Sequence, residues 1–150
     1  MSAIKESVDI DRRPEDVYSY VVEPSHLPEW QESAVSAQRV GDAPIGVGSK
    51  VQVIRRVGRR VFPMTMEMTE FDPPRSWRLH GVDGPVRGDV HGTIEPLDEG
   101  RRSRVTLDLD FEAHGMGKVL VPLVVRPFAR KEMPKNEQRL KNLLEHSAGA

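Results

Sequence analysis

Along the stretch VFPMTMEMTEFDPP, Phe62, Met64, Met66 and Met68 take every second position, with Pro63, Thr65, Glu67 and Thr69 between them. A period of two is that of a strand with one apolar and one polar face. The same alternation returns in SRVTLDLDFEA, where Val105, Leu107, Leu109 and Phe111 alternate with Thr106, Asp108, Asp110 and Glu112. VSAQRV, SKVQVIRRV, SWRLHGV and VRGDVHGTIEPL are strand-like as well. Turn chemistry separates these segments: Gly41 to Gly48, Gly58-Arg59-Arg60, Asp72-Pro73-Pro74, Asp83-Gly84-Pro85 and Asp98-Glu99-Gly100. Proline ends the methionine strand because it cannot donate to a ladder and restricts the residue before it. Consecutive strands joined by short turns predict an antiparallel meander.

Different patterns flank the meander. Ile4, Val8 and Ile10 share a face of a first strand, which Glu6 interrupts. In RRPEDVYSYVV, Pro14 suits a first helical position and Glu15 and Asp16 suit the positive end of the helix dipole. EPSHLPEW predicts a Ser25 cap and a short second helix ending near Trp30. After His114-Gly115-Met116-Gly117 the period becomes helical to about His146, with Leu120, Val124 and Phe128 on one face and Leu140, Leu143 and Leu144 further on. Pro122, Pro127 and Pro134 lie within this segment, so a helix broken or bent near Pro134 is expected.

The predicted class is α+β: a curved antiparallel sheet of about seven strands, two short helices after the first strand, and a long carboxy-terminal helix. A sheet that long must curl, and its one apolar face needs a cover. The long helix is the element large enough to supply it. The methionines point into the space between.

Composition narrows the partners. A chain of 150 residues with net charge −1 gives no global electrostatic reason to expect nucleic acid or membrane insertion. With no cysteine, disulfides, thiolate nucleophiles and cysteine-ligated metals are excluded. MSAIKESVDID lacks the apolar core of a secretory signal, and VLVPLVV at 119–125 falls far short of the roughly 18 residues of a membrane span, so a cytoplasmic location is expected.

The chain resembles the START-like, Bet v 1-like (SRPBCC) superfamily, and within it the polyketide cyclase/dehydrase branch. The likeness spans nearly all 150 residues as a single domain. It rests on Val8-Asp9-Ile10 with Pro14-Glu15-Asp16-Val17, Trp30, Gly46-Val47-Gly48, Thr69 to Arg75, Ile94-Glu95-Pro96 and Leu140 to Glu145. None of these motifs is catalytic; they mark the fold. The resemblance implies a helix-grip fold with an elongated cavity between sheet and terminal helix. It further implies a hydrophobic guest such as a lipid or polyketide, and for some members cyclisation or dehydration of that guest.

Met64, Met66 and Met68 then carry two readings, ordinary core filler or a pliable cavity wall. Phe62, Trp30, Trp77, Leu79, Leu107, Leu109, Leu120 and Val124 are further candidates for the concave face. The Trp77/Leu79 face and the Arg78/His80 face cannot both point inward, and the sequence leaves that choice open. Polar candidates matter more, because a few placed polar groups give an apolar pocket its selectivity. They are Glu6, Arg55 in phase with Val51, Val53 and Val57, and His80 and His91 on adjacent strands. Asp89-Val90-His91 places a carboxylate and an imidazole on one face, but two ligands do not close a metal site and no third is evident. No metal or cofactor is expected. The basic residues Arg126, Arg130, Lys131, Lys135, Arg139 and Lys141 suit the wet face of the last helix, and Arg55, Arg56, Arg59 and Arg60 lack the interleaved aromatics of an RNA platform. No catalytic residue can be named. Three functions remain: a carrier or sequestering module for a hydrophobic small molecule, a cyclase or dehydratase using the same cavity, and a protein-interaction module. Oligomeric state is undetermined.

Overall fold

In the computed structural model, residues 4–83, 86–113, 115, 118 and 121–146 are described. Seven strands form one antiparallel sheet: β1 (Ile4–Ile10), β2 (Ala34–Arg39), β3 (Lys50–Val57), β4 (Arg60–Asp72), β5 (Ser76–Gly81), β6 (Val86–Leu97) and β7 (Arg102–Ala113). Their order is β1-β7-β6-β5-β4-β3-β2. The meander runs β2 to β7, and the first strand pairs with the last, Ile4 opposite Leu109 and Ile10 opposite Ser103. The sheet curves, as a long antiparallel sheet must.

Alternation sets the faces as expected. Val51, Val53 and Val57 of β3 and Met64, Met66 and Met68 of β4 are buried, and so are Trp77, Ile94, Val105 and Leu107. The methionine row lies opposite the valine row, Met66 against Val51 and Met64 against Val53. Trp77 and Leu79 point inward, which settles the face of β5. Gly92 sits directly opposite Trp77. A Cβ built there would lie 2.2 Å from Trp77 Cζ2, so the indole occupies the space that any side chain at position 92 would need.

Between β1 and β2 the chain forms α1 (Pro14–Val21), a 3₁₀ turn (Pro24–His26) and α2 (Leu27–Trp30). Pro14 opens α1, with Glu15 and Asp16 in its first turn. Ser25 does not cap α2. It is the Glu23 carboxylate that accepts from the Ser25 backbone N–H, and it caps the 3₁₀ turn. Tyr18 of α1 meets Phe71 and Trp77 edge-on, at 5.7 and 5.8 Å between ring centroids. Its hydroxyl donates to the Ser76 carbonyl at 2.8 Å, and burial pushes its pKa up to about 12.

The terminal helix departs from expectation in two places. A π-helical turn over Val121–Val125 precedes a continuous α-helix, α3 (Arg126–His146), which runs through Pro134 without a break. Pro127 follows directly on the π-turn within the same helical run, where it has no N–H to donate to the preceding turn. The irregularity therefore falls at the π-turn, where the bonding pattern widens from i→i−4 to i→i−5. That wider turn brings Val121 and Val125 inward and leaves Val124 exposed, so Val124 is not a wall residue. Leu143 is likewise exposed, while Met133, Leu140 and Leu144 form the buried stripe.

The carboxy-terminal half of α3 is tied to the start of the chain. Arg12 Nε donates to the Leu144 carbonyl at 2.7 Å, and Lys141 Nζ to the Asp9 carbonyl at 2.8 Å and to Glu145 at 2.7 Å. The Asp11 backbone N–H donates to Glu145 Oε2. Glu137 lies in phase with Met133, Leu140 and Leu144 and is buried with them. Its Oε2 has no partner among the described residues, and burial, with the charge of Glu6 adding to it, pushes its pKa up to about 8. No helix among the described residues is long and apolar enough to cross a membrane.

Candidate functional site

Between the sheet and the amino-terminal half of α3, with Val121 and Val125 of the π-turn packed against Met64, lies a hollow of about 130 Å³. For scale, an engineered apolar cavity of about 150 Å³ takes up benzene. The sheet side of the wall includes Phe62, Met64, Met66 and Met68 of β4, Trp77 and Leu79 of β5, and Leu107 and Leu109 of β7. Trp30 of α2 and Met133 of α3 border it too, so all four methionines among the described residues line the hollow. An unbranched thioether with three rotatable bonds reshapes at little cost, and a wall of them adapts to its contents. Gly88 of β6 also borders the space. A Cβ there would only touch Met66, Leu109 and Phe111, at 3.9 to 4.0 Å.

One end of this apolar hollow is polar. Arg55, on the concave face of β3, donates from Nη2 to Gln31 Oε1 at 2.6 Å and from Nη1 to Ser33 Oγ at 3.0 Å. Ser33 Oγ donates onward to Glu132 Oε2 of α3 at 2.9 Å, and Asn136 Nδ2 donates to the same oxygen at 2.7 Å. The Asn136 side-chain carbonyl accepts from the Glu32 backbone N–H, which fixes the amide and ties α3 to the α2–β2 connection. Burial lowers the pKa of Arg55, and the neighbouring Glu132 carboxylate opposes that shift. An arginine in this setting keeps its charge. Two groups in the wall stay unpaired among the described residues, Glu132 Oε1 and Trp30 Nε1, an acceptor and a donor. Each is the kind of buried polar atom that a native structure normally satisfies.

The structure brings together Trp30, Arg55, Phe62, Met64, Met66, Met68, Trp77, Leu79, Leu107 and Leu109 around one space. It separates the histidines from it. Once Trp77 and Leu79 point inward, the strict period of two sends Arg78 and His80 outward, and the register carries His91, opposite Arg78, with them. His91 Nε2 lies 3.1 Å from Glu70 Oε2, which also accepts from Ser76 Oγ at 2.5 Å. These bonds, from Ser76 first and His91 second, hold the Glu70 carboxyl below its usual range. His80 Nδ1 lies 3.4 Å from Asp89 Oδ1. Each histidine thus makes its own polar contacts on the convex face, His80 with Asp89 and His91 with Glu70. Glu6 is on the concave side of β1 but faces Glu137 rather than the hollow, and Leu120 lies outside the described residues. Among the described residues no group of three histidine, aspartate or glutamate side chains is placed to hold a metal.

Gln31, Ser33, Glu132 and Asn136 also line the hollow, and periodicity did not reveal them. Gln31 and Ser33 sit in an irregular connection. Glu132 and Asn136 resemble the charged and polar positions of a wet helix face, and their spacing of four beside Met133 is the one available hint.

The model of the family described as polyketide cyclase/dehydrase and lipid transport matches residues 1–145. The chain belongs to this family. No curated protein sequence matches it. Among solved structures, the fold is shared with TTHA0849 from Thermus thermophilus, at 18% identity and TM-score 0.79, over 98% of this chain and 99% of that one. The Zhui aromatase/cyclase from Streptomyces sp. R1128 matches at 13% identity and TM-score 0.79, over 99% of this chain and 96% of that one. A START superfamily protein from Mycobacterium smegmatis matches at 14% identity and TM-score 0.79, over 99% of this chain and 100% of that one. Identities this low carry the fold and leave function to the residues of the site.

Proposed function

We propose that the protein takes up a small hydrophobic molecule in the hollow between sheet and terminal helix and acts as its carrier or sequestering module. The observation that carries this reading is an unfilled, methionine-walled space with one polar cluster at its end. A hydrophobic wall with a few convergent polar groups is the usual form of a small-molecule site. Membership of a family described by lipid transport and polyketide chemistry supports the same reading. Because the space holds about one ring before its wall moves, the guest is either small or enters by displacing methionine side chains.

The test is Met66→Trp. An indole projecting from the centre of the methionine row fills the hollow, so the folded variant loses uptake of propylbenzene, followed through the methyl resonances of the cavity methionines. A folded M66W that takes up propylbenzene as the wild type does refutes the reading.

A second reading, a cyclase- or dehydratase-type enzyme, is favoured by one observation. Glu132 places a carboxylate with an unpaired oxygen in the same wall as the Arg55 guanidinium, a base beside a cationic donor. In that case, a guest that co-purifies with Glu132→Gln is a precursor that wild-type protein converts, with loss of the mass of water for a dehydration. Identical guests in both proteins refute it. A protein-docking role has no comparable support, because the interior is hollow rather than filled.

A further inference from the structure

The charges in the cavity wall decide which hydrophobic molecules it accepts. Among its described lining residues the charged side chains are Arg55 and Glu132. Their charges cancel. They are also close, because a single hydroxyl, Ser33 Oγ, accepts from Arg55 and donates to Glu132. A carboxylate or phosphate guest would bring a third, uncompensated charge into an apolar space and would sit beside Glu132. A hydroxyl group has no such penalty. It can donate to Glu132 Oε1, the buried acceptor without a partner, and accept from a free N–H of Arg55, of whose five N–H groups two are engaged by Gln31 and Ser33.

We infer that the site selects uncharged hydrophobic molecules bearing a hydroxyl, and that Glu132, by neutralising Arg55, is the residue that turns anionic guests away. The inference rests on the proposed small-molecule reading and specifies the chemical class of the guest. Without Glu132 the wall would carry a lone guanidinium and favour carboxylates, the usual partners of a buried arginine.

The experiment uses three single-ring probes of matched shape: propylbenzene, 4-propylphenol and 4-propylbenzoate. At pH 7 the phenol is neutral and the benzoate ionised. Affinities are read by titration calorimetry and by the methyl resonances of Met64, Met66, Met68 and Met133, which border the hollow. In the wild type the phenol binds about tenfold or more tighter than the benzoate, the order expected of a hydrogen bond to a charged group. In Glu132→Gln, which keeps an acceptor for Ser33 and Asn136 while removing the charge, the order reverses.

Equal or tighter binding of the benzoate to wild-type protein overturns the inference, with propylbenzene uptake showing that the hollow itself is intact. A wild-type preference for phenol that persists unchanged in folded E132Q also overturns it, because Glu132 is then not its cause. Failure of all three probes to bind overturns the small-molecule reading itself. The wild-type comparison decides even where E132Q does not fold.

Discussion

Replacing Glu137 by glutamine isolates the effect of one buried carboxyl on stability. The side chain is 2% exposed, its Oε2 is unpaired, and its pKa stands at about 8 against an ordinary 4.5. Between those two values the unfolded chain has released a proton that the folded chain keeps, so the folded state binds more protons and stability falls as pH rises. The contribution is complete below about pH 4.5 and is lost through pH 8. At about 1.4 kcal/mol per pH unit the full interval corresponds to about 5 kcal/mol. Solvent screening beside Glu6, which is only partly buried, reduces this to about 2–4 kcal/mol. Glu137→Gln removes the ionisation and retains the shape. Urea unfolding followed by circular dichroism between about pH 4.5 and 8.5 then gives two curves that lie closest at the acid end and separate toward the alkaline end, with the variant the more stable there. The carboxylates held low, Asp9, Glu23, Glu70, Asp110 and Glu145, lose their favourable contributions on the acid side in both proteins and cancel in the difference. A constant difference across the pH range would show that Glu137 ionises normally and would refute the argument.

Other outcomes follow from the same packing. Gly92→Ala drives a methyl group into the Trp77 indole and costs about 1–3 kcal/mol by chemical denaturation, with altered tryptophan fluorescence; an unchanged unfolding midpoint would contradict the observed contact. Leu140→Ala, at a fully buried position of α3, costs about 2–5 kcal/mol in the same assay, and a loss below about 1 kcal/mol would mean that this stretch of helix is not packed on the sheet. His80→Ala and His91→Ala leave propylbenzene binding within about twofold of wild type because both side chains lie on the convex face. A large loss from either would place that histidine in the hollow.

Much of the architecture was legible because the strands obey a simple rule. The alternations at 62–68 and 105–111 fixed which residues face inward, and the clusters at 58–60, 72–74 and 98–100 marked turns, while Gly84 and Pro85 of the cluster at 83–85 lie outside the described residues. The orientation of β5 was not legible from β5 alone, since Trp77/Leu79 and Arg78/His80 alternate equally well. The deciding signal lay on another strand, in a glycine whose lack of a side chain makes room for the indole. The helical segment misled for a different reason. An inward Val124 assumes a uniform α-helical period, which the π-turn at 121–125 violates. Pro134 suggested a break, yet α3 continues through it, held at its far end by Arg12 and Lys141. Half of the polar cluster was visible, Arg55 through its phase with the valines of β3. Its partners come from an irregular connection and from a helix flank rich in charge, where periodicity carries no information about burial.

The pairing of β1 with β7 has a consequence for how the chain matures. Segments β2 to β7 each meet a sequence neighbour and can assemble in the order of synthesis, whereas Ile4–Ile10 finds its partner about a hundred residues later. During translation β1 therefore waits with its edge unsatisfied until Arg102–Ala113 has emerged, and α3, which packs against that strand, follows it. Enclosure of the hollow thus waits on β7 and α3, and a chain made only as far as Arg102 lacks both the Leu107/Leu109 wall and the helix that covers the sheet.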